Sequence, residues 1–331
     1  MNQITMEHRA VCCGLSRFER RDLTWFLTYF AFYMFMYTSY IFAGVVRVED
    51  LLEGKVGPEF LLNGRWMVWV VRQLTGGEAV NYPLAGIMAG AFLAAAVLLL
   101  VKWLRIHDAL SRAVCGLVYF CVPQWNGMLF FQKMADAVAL GILLCTLAAV
   151  LICSPGKRYI ALSVLCCALG IACYQTLALV FGVVVLTALL YSQRRSLPGI
   201  GLRYVLKAVF VSIVSSALYL CVTHAVKAGL PPASLASVAQ YQDAAVGWGK
   251  CTDWEKTVHM VWTYGFQSPW RTMVGGKHYL LVVATMMVFL GSSFRTCSLR
   301  KTFILALLGI GLLFLPYAPG LLLLSPTGTK E

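Results

Sequence analysis

The chain has 331 residues, of which 60% are hydrophobic and only 12% are charged, and its formal net charge is +13. Soluble domains carry roughly 25% charged residues, so the composition excludes an ordinary soluble protein and favours a polytopic membrane protein. The positive charge does not indicate nucleic-acid binding. The basic residues lie in short loops between apolar runs, which is typical of cytoplasmic loops near anionic lipid headgroups.

The first apolar run covers residues 24–46, which is long enough to cross the roughly 30 Å hydrocarbon core of a bilayer. Several arginines precede this run, and they predict that the N-terminus lies in the cytoplasm. Residues 47–82 are then expected on the outside, where they form a candidate catalytic loop.

Residues 66–74 of this outer segment predict a short amphipathic helix. Trp66, Trp69, Val70 and Gln73 recur at helical spacing, and tryptophan favours the membrane interface. We expect this helix to lie flat on the outer surface of the membrane.

The remaining apolar runs predict eight more spans, so the expected fold is an all-α membrane protein with about nine transmembrane helices. They cover residues 83–101, 109–122, 134–153, 208–226, 279–294 and 302–324, with two short spans within 159–191. The run 159–191 is divided near Tyr174 and Gln175, because a single crossing would place its flanking basic pairs on opposite sides of the membrane. The chain is expected to form one transmembrane domain, residues 1–331, with a long outer loop at 227–278 and the C-terminus outside.

Two adjacent carboxylates, Glu49 and Asp50, directly follow the first apolar run in a chain that has only 14 acidic residues. A carboxylate in this position can take a proton from a substrate hydroxyl. We predict that Asp50 is a general base and that Glu49 is the next candidate. The alternative is that both are solvated loop charges.

Further polar side chains are candidates for substrate binding. The guanidinium of Arg65 could bind a phosphate bidentately, although an interface arginine can instead reach lipid headgroups. Asp136 lies near the outer end of the fourth predicted span, where an acid is a functional candidate and where water is expected to reach it. The other candidates are Asn63, Arg72, Tyr174, Gln175, Trp248 and Arg271.

Some of these candidates have structural alternatives. Tyr174 and Gln175 either line a polar cavity or cap a pair of short helices, and the second interpretation is favoured. Trp248 begins an aromatic stretch, 248–270, which either stacks on sugar rings or anchors a loop at the interface. No histidine or cysteine pattern predicts a metal site. A divalent metal, Mg or Mn, held by carboxylates is compatible with the chemistry but is not required.

Several of these motifs follow one another along the chain in a recognisable order. They are Glu49-Asp50, Asn63-Gly64-Arg65, an outer turn with Asn126, Phe130-Phe131 and Asp136, and then Tyr174-Gln175. This order resembles the bacterial membrane glucosyltransferases that modify O-antigen, of the phage-borne serotype-converting type. The resemblance implies a GT-C-like enzyme of the inner (plasma) membrane in which the acidic residues after the first span carry the chemistry.

The resemblance also implies the substrates. The donor is glucose on a polyprenyl-phosphate carrier, and the acceptor is a sugar of the lipopolysaccharide O-antigen at the outer face of the membrane. Membrane lipids are the other expected partners, and nucleic acid is not one. Arg65, and after it Arg72, are candidates to neutralise the leaving phosphate.

Two features depart from the family pattern. Glu49 stands where the family is expected to have aspartate, and the chain ends soon after the ninth predicted span, where further spans are expected. Two alternatives therefore stay open, namely a transporter or flippase of lipid-linked sugar and a truncated, non-catalytic membrane subunit. Charges buried in mid-span would favour a transporter, and Asp136 is the one interior acid, so the enzyme is favoured.

Overall fold

The computed structural model describes residues 19–42, 59–76, 80–121, 132–195, 200–230 and 303–309, and all regular secondary structure in these ranges is helical. The α-helices are α1 (Arg20–Phe42), α2 (Glu59–Leu62), α3 (Trp66–Thr75), α4 (Tyr82–Trp103), α5 (Ala109–Phe120), α6 (Ala135–Leu151), α7 (Lys157–Cys173), α8 (Leu177–Arg195) and α9 (Leu202–Ala228), with a 3₁₀ helix at Gln132–Met134. Residues 303–309 are also helical. The all-α prediction is confirmed for the described ranges.

The chain divides into two compact units. The first is formed by Met1–Val184 with Pro198–Ser234, and the second by Val185–Leu197 with Leu235–Glu331. The packing and the candidate site described below belong to the first unit. Of the second unit, the structure describes the end of α8 and residues 303–309.

The predicted apolar runs correspond to helices wherever the structure describes them. The long run at 159–191 is divided as predicted, because α7 ends at Cys173 and α8 begins at Leu177. Two of the described helices, α4 and α9, are long and apolar enough to cross a membrane. Crossing by the other helices stays a prediction, and the predicted span at 279–294 lies outside the described residues.

The helices of the first unit pack in a row, in which α1 contacts α4, α4 contacts α6, α6 contacts α7 and α7 contacts α9. Glycines face each other where α6 meets α7. A Cβ atom on Gly141 would lie 3.1 Å from the carbonyl oxygen of Gly170, and a Cβ atom on Gly170 would lie 3.0 Å from that of Gly141. Small residues that let two backbones approach in this way are typical of helix packing in membranes.

Three tyrosines spaced four residues apart fix α1 to its neighbours. Tyr29, Tyr33 and Tyr37 lie on one face of α1 and are almost fully buried. Each hydroxyl donates a hydrogen bond to a backbone carbonyl oxygen of α4 or α5. The acceptors are those of Arg112, Gly86 and Phe120, at 3.1, 3.0 and 2.5 Å. The position of α1 is therefore set by hydrogen bonds to backbone atoms as well as by apolar contact.

One end of the row is marked by two lysines. Lys102 Nζ lies 2.6 Å from the carboxylate of Asp22, and Lys207 Nζ lies 3.5 Å from the carbonyl oxygen of Ile152. Trp103, next to Lys102, lies against Tyr204, which is on the same helix as Lys207. Their ring centroids are 6.3 Å apart. All these residues belong to, or adjoin, segments predicted to be cytoplasmic.

The other end gathers the segments predicted to lie outside. There α3 contacts α6 and α7, and α2 contacts α9. The structure thus groups the helix ends as alternating membrane crossings would require. Which end faces the cytoplasm stays a prediction.

The helix predicted at residues 66–74 is confirmed as α3, and one of its faces is buried. Val68, Val71 and Arg72 are buried, whereas Trp69 is 38% exposed and Leu74 is 80% exposed. The buried residues are buried because α3 packs on α6 and α7, where Arg72 pairs with a buried carboxylate. The predicted stripe of Trp66, Trp69, Val70 and Gln73 is not part of this buried face, and its contact with the membrane surface stays a prediction.

Candidate functional site

Six of the ten predicted site residues lie in the described part of the chain, and they gather at the α3 end of the helix row. They are Asn63, Arg65, Arg72, Asp136, Tyr174 and Gln175. The structure arranges them as two sets: an Arg65 cluster of Asn63, Arg65, Tyr174 and Gln175, and a buried pair of Arg72 and Asp136. Glu49, Asp50, Trp248 and Arg271 lie outside the described residues, so their roles stay predictions.

The turn between α2 and α3 determines where Arg65 lies. Gly64 has a positive φ of 73°, a conformation that glycine adopts without steric cost. The amide of Gly64 donates to the carbonyl of Leu61 at 3.1 Å, and the amide of Arg65 donates to that of Phe60 at 2.7 Å. This pair of bonds is the Schellman arrangement that ends a helix. It presents Arg65 immediately before α3.

The guanidinium of Arg65 lies on the ring of Tyr174, with its central carbon 4.5 Å from the ring centroid. Arg65 Nε lies 3.5 Å from the side-chain oxygen of Gln175, and Nη1 lies 4.0 Å from the sulfur of Met134. The Nη2 group has no hydrogen-bond or carboxylate partner within the described ranges. The side chain is partly exposed, so a positive, planar group is accessible at this point.

Gln175 connects this turn to α9. It lies in the break between α7 and α8, after Tyr174, which has extended backbone geometry. Its side-chain nitrogen donates to the backbone carbonyl of Asn63 and to the hydroxyl of Tyr219, the latter at 3.0 Å. Three segments far apart in the chain therefore meet at one amide group.

Arg72 and Asp136 form a hydrogen-bonded ion pair. Their side chains are only 3% and 0% exposed. Asp136 also accepts a hydrogen bond from the amide of Ala137, at 2.8 Å, in the first turn of α6, where a carboxylate is favoured by the helix dipole. The expectation that water reaches Asp136 was wrong, because α3 and its Arg72 cover it. A direct substrate contact by either residue would require this pair to open.

Each partner of the buried pair keeps one side-chain atom without a hydrogen bond. These atoms are Arg72 Nε and Asp136 Oδ2, neither of which has a partner among the described residues. Arg72 Nη1 reaches only Thr75, at 3.5 Å. The pair is thus closed to solvent but incompletely satisfied.

Sequence reasoning missed Tyr219 and Thr223 on α9. Both are buried and both lie against the Gly64 turn, and the Thr223 hydroxyl has no partner within the described ranges. Their spacing was available as a signal, because Ser215, Tyr219 and Thr223 recur every four residues in an otherwise apolar run. Such spacing places three polar groups on one face of a helix.

No group of three metal-ligating side chains occurs within the part of the chain that the structure describes. The sequence leaves a divalent metal, Mg or Mn, compatible with the chemistry but not required, and the described residues do not test it.

Within the described ranges the regular structure is helical, two helices are long and apolar enough to cross a membrane, and Arg65 is partly exposed at one end of the helix row. These are features of a helical membrane protein. The sequence matches the family model described as Glucosyl transferase GtrII over residues 49–330, more than four fifths of the chain. The chain therefore belongs to the glucosyl transferase GtrII family, and the resemblance seen in the sequence is confirmed. The matched range contains all ten predicted site residues. No curated protein and no solved structure gives a significant match.

Proposed function

We propose that this chain transfers glucose from a polyprenyl-phosphate carrier to a sugar of the lipopolysaccharide O-antigen, at the outer face of the bacterial inner membrane. Membership of the family makes the protein a glucosyl transferase. The donor, the acceptor and the location are the proposed parts. The observation that supports the choice of donor is the guanidinium of Arg65, which is partly exposed, lies on the ring of Tyr174 and has no carboxylate partner among the described residues.

The chemistry of this donor requires positive charge where the phosphate leaves. The acceptor hydroxyl oxygen attacks the anomeric carbon of glucose, the bond from that carbon to the phosphate oxygen breaks, and polyprenyl phosphate departs with the electron pair. In this proposal Arg65 binds the phosphate oxygens with its N–H donors, which stabilises the developing charge. Arg72 is a weaker candidate for this role, because Asp136 already neutralises its charge.

The hydroxyl proton of the acceptor needs a base. We assign this role to Asp50, with Glu49 orienting the acceptor or, where Mg or Mn assists the reaction, sharing the metal with Asp50. The transfer conserves atoms and charge without a metal. Addition of EDTA to membranes, followed by Mg or Mn, measures any contribution that a metal makes.

The proposed architecture is a GT-C-like domain of nine spans over residues 1–331, with the N-terminus inside and the C-terminus outside. Its support is the grouping of helix ends. The Asn63–Arg65 turn, the start of α6, the break before α8 and the end of α9 all meet at one end, and each adjoins a segment predicted to lie outside. A site there is open to a carrier lipid in the outer leaflet and to a periplasmic polysaccharide. Asn63, Trp248 and Arg271 are assigned to sugar binding on the same side.

The direct test is incorporation of labelled glucose into O-antigen by bacterial membranes with and without this chain. Polyprenyl-phosphate glucose is the added donor, and purified lipopolysaccharide is the acceptor. We expect labelled O-antigen only with the chain, donor and acceptor together. Movement of the labelled lipid across vesicle membranes without transfer would instead show a flippase. No change in either measurement would favour a non-catalytic subunit.

A further inference from the structure

We propose that Gln175 and Tyr219 are positioning residues that hold Arg65 in place for the donor phosphate, and that neither side chain contacts the substrate itself. The inference rests on the proposed function and deepens it. In the sequence, Gln175 is a candidate for substrate binding with a structural role favoured, and Tyr219 has no predicted role.

The hydrogen-bond capacity of Gln175 is the first argument. A glutamine side chain offers two N–H donors and one carbonyl oxygen. Both donors are used, one by the backbone carbonyl of Asn63 and one by the hydroxyl of Tyr219 at 3.0 Å. The carbonyl oxygen faces Arg65 Nε at 3.5 Å. No N–H of this amide is left for a sugar hydroxyl or a phosphate.

The packing around Gly64 is the second argument. A Cβ atom on Gly64 would meet the hydroxyl of Tyr219, and it would lie 3.2 Å from Gln175 Nε2 and 3.3 Å from a methyl carbon of Thr223. The backbone of the turn thus rests directly on the contact between Tyr219 and Gln175. Because Arg65 is the next residue, any shift of that contact moves the guanidinium.

The rigidity of α9 is the third argument. One turn before Tyr219, the hydroxyl of Ser215 donates to the carbonyl of Val164 in α7, at 3.0 Å. Near the start of α9, the hydroxyl of Tyr204 donates to the carbonyl of Ala149 in α6, at 3.2 Å. Tyr219 is therefore held by a helix that is bonded to its neighbours at two points. Through its hydrogen bond with Gln175, Tyr219 fixes the position of the turn that carries Arg65.

The test compares Tyr219→Phe and Gln175→Ala with the wild-type enzyme. Each variant should raise the KM for polyprenyl-phosphate glucose on the order of 3- to 10-fold, because Arg65 is held less firmly. Each should leave the KM for the O-antigen acceptor unchanged. Tyr29→Phe is the matched control, since it removes a buried tyrosine hydroxyl that donates to a backbone carbonyl at 3.1 Å, between α1 and α5 and away from the Arg65 cluster. It should change neither KM.

A second comparison separates positioning from direct contact. In an Arg65→Ala background, Tyr219→Phe and Gln175→Ala should cause no further loss of donor affinity, because their effect passes through Arg65. A full additional loss in that background would overturn the inference for Gln175 and return it to substrate contact. An unchanged donor KM in Tyr219→Phe, with wild-type transfer intact, would overturn it for Tyr219 while leaving the proposed function standing.

Failure of the proposed function is distinguishable from failure of the inference. If the wild-type protein uses no polyprenyl-phosphate glucose, the proposed function is wrong, and the network is then tested by thermal unfolding of the purified protein. Gln175→Ala and Tyr219→Phe should be non-additive, with the double variant close to the more damaging single one. Additive losses would show that the two side chains do not act as one unit.

Discussion

Arg72 and Asp136 stand 64 positions apart in the chain, and they form an ion pair from which solvent is almost fully excluded. The pair ties α3 to the first turn of α6. A buried pair adds little net stability compared with apolar residues of similar size, but removing one partner leaves an uncompensated charge in the interior. Asp136 therefore neutralises the charge of Arg72, in contrast to Arg65 seven residues earlier, which has no carboxylate partner among the described residues.

Asp136→Asn should therefore destabilise the protein strongly, by about 3–5 kcal/mol. The double variant Arg72→Met with Asp136→Leu should recover most of that loss, because no charge is then left unpaired. Thermal unfolding in detergent measures both. Asp108→Asn is the control, since this exposed acid caps α5 by accepting from the amide of Ser111 at 2.7 Å and asparagine caps equally well. An Asp136→Asn protein as stable as the control would contradict the buried-pair interpretation.

Arg65→Lys should raise the KM for the polyprenyl-phosphate donor by on the order of tenfold or more, because an ammonium cannot replace a planar, bidentate guanidinium stacked on a ring. Arg158→Lys is the matched control. Arg158 also stacks on a tyrosine, with 4.8 Å between its central carbon and the Tyr159 centroid, but it is exposed and lies in a turn predicted to be cytoplasmic. Equal effects of the two substitutions would show that Arg65 does not bind the donor.

Asp50→Asn should lower the rate of transfer on the order of 10²- to 10⁴-fold, because it removes the basic carboxylate while keeping the size of the side chain. Glu49→Gln should cost less, since its proposed role is orientation. Transfer of labelled glucose is measured at matched protein levels in the membrane. The reverse ranking would show that the two residues have exchanged roles. Full activity in the double variant would show that neither carboxylate takes part in the reaction.

Gly64→Ala should raise the KM for the donor by more than its loss of stability would explain. The positive φ costs a non-glycine residue about 1–2 kcal/mol, and the new methyl group would also displace the Tyr219 hydroxyl and hence Arg65. Gly201→Ala is the control, because no atom lies within 4 Å of its added Cβ and its φ is −164°. Donor KM and unfolding temperature are measured for both. A normal donor KM in Gly64→Ala would show that the turn does not set the position of Arg65.

Reporter fusions test the topology. Fusions after residues 105, 156, 198 and 298 should report the cytoplasm, and fusions after residues 58, 128, 250 and 330 should report the outside. The pair at 156 and 198 matters most, because α7 and α8 return the chain to the same side only if each of them crosses. Opposite signals at these two positions would mean that 159–191 crosses once.

The sequence predicted the helices well because each depends on a local apolar run, and it placed the break at Tyr174 and Gln175 because basic residues flank that run. It also identified Arg65, Asp136 and Gln175 as unusual, since polar groups in apolar surroundings stand out. It could not show that Asp136 is covered by Arg72, because the pairing depends on how α3 packs. Tyr219 was missed for a related reason. Its only local sign is a four-residue spacing, and that spacing has no meaning until the facing helix is known.

The tyrosines of α1 have a consequence for how related sequences can diverge. Tyr29, Tyr33 and Tyr37 bond to backbone carbonyls, and every residue type supplies a backbone carbonyl. Substitutions at the acceptor positions 112 and 120 therefore leave these bonds chemically available, whereas loss of a tyrosine hydroxyl removes one outright. Among relatives of this chain, α1 should keep tyrosine at these three positions, while the sequences of the facing helices α4 and α5 vary.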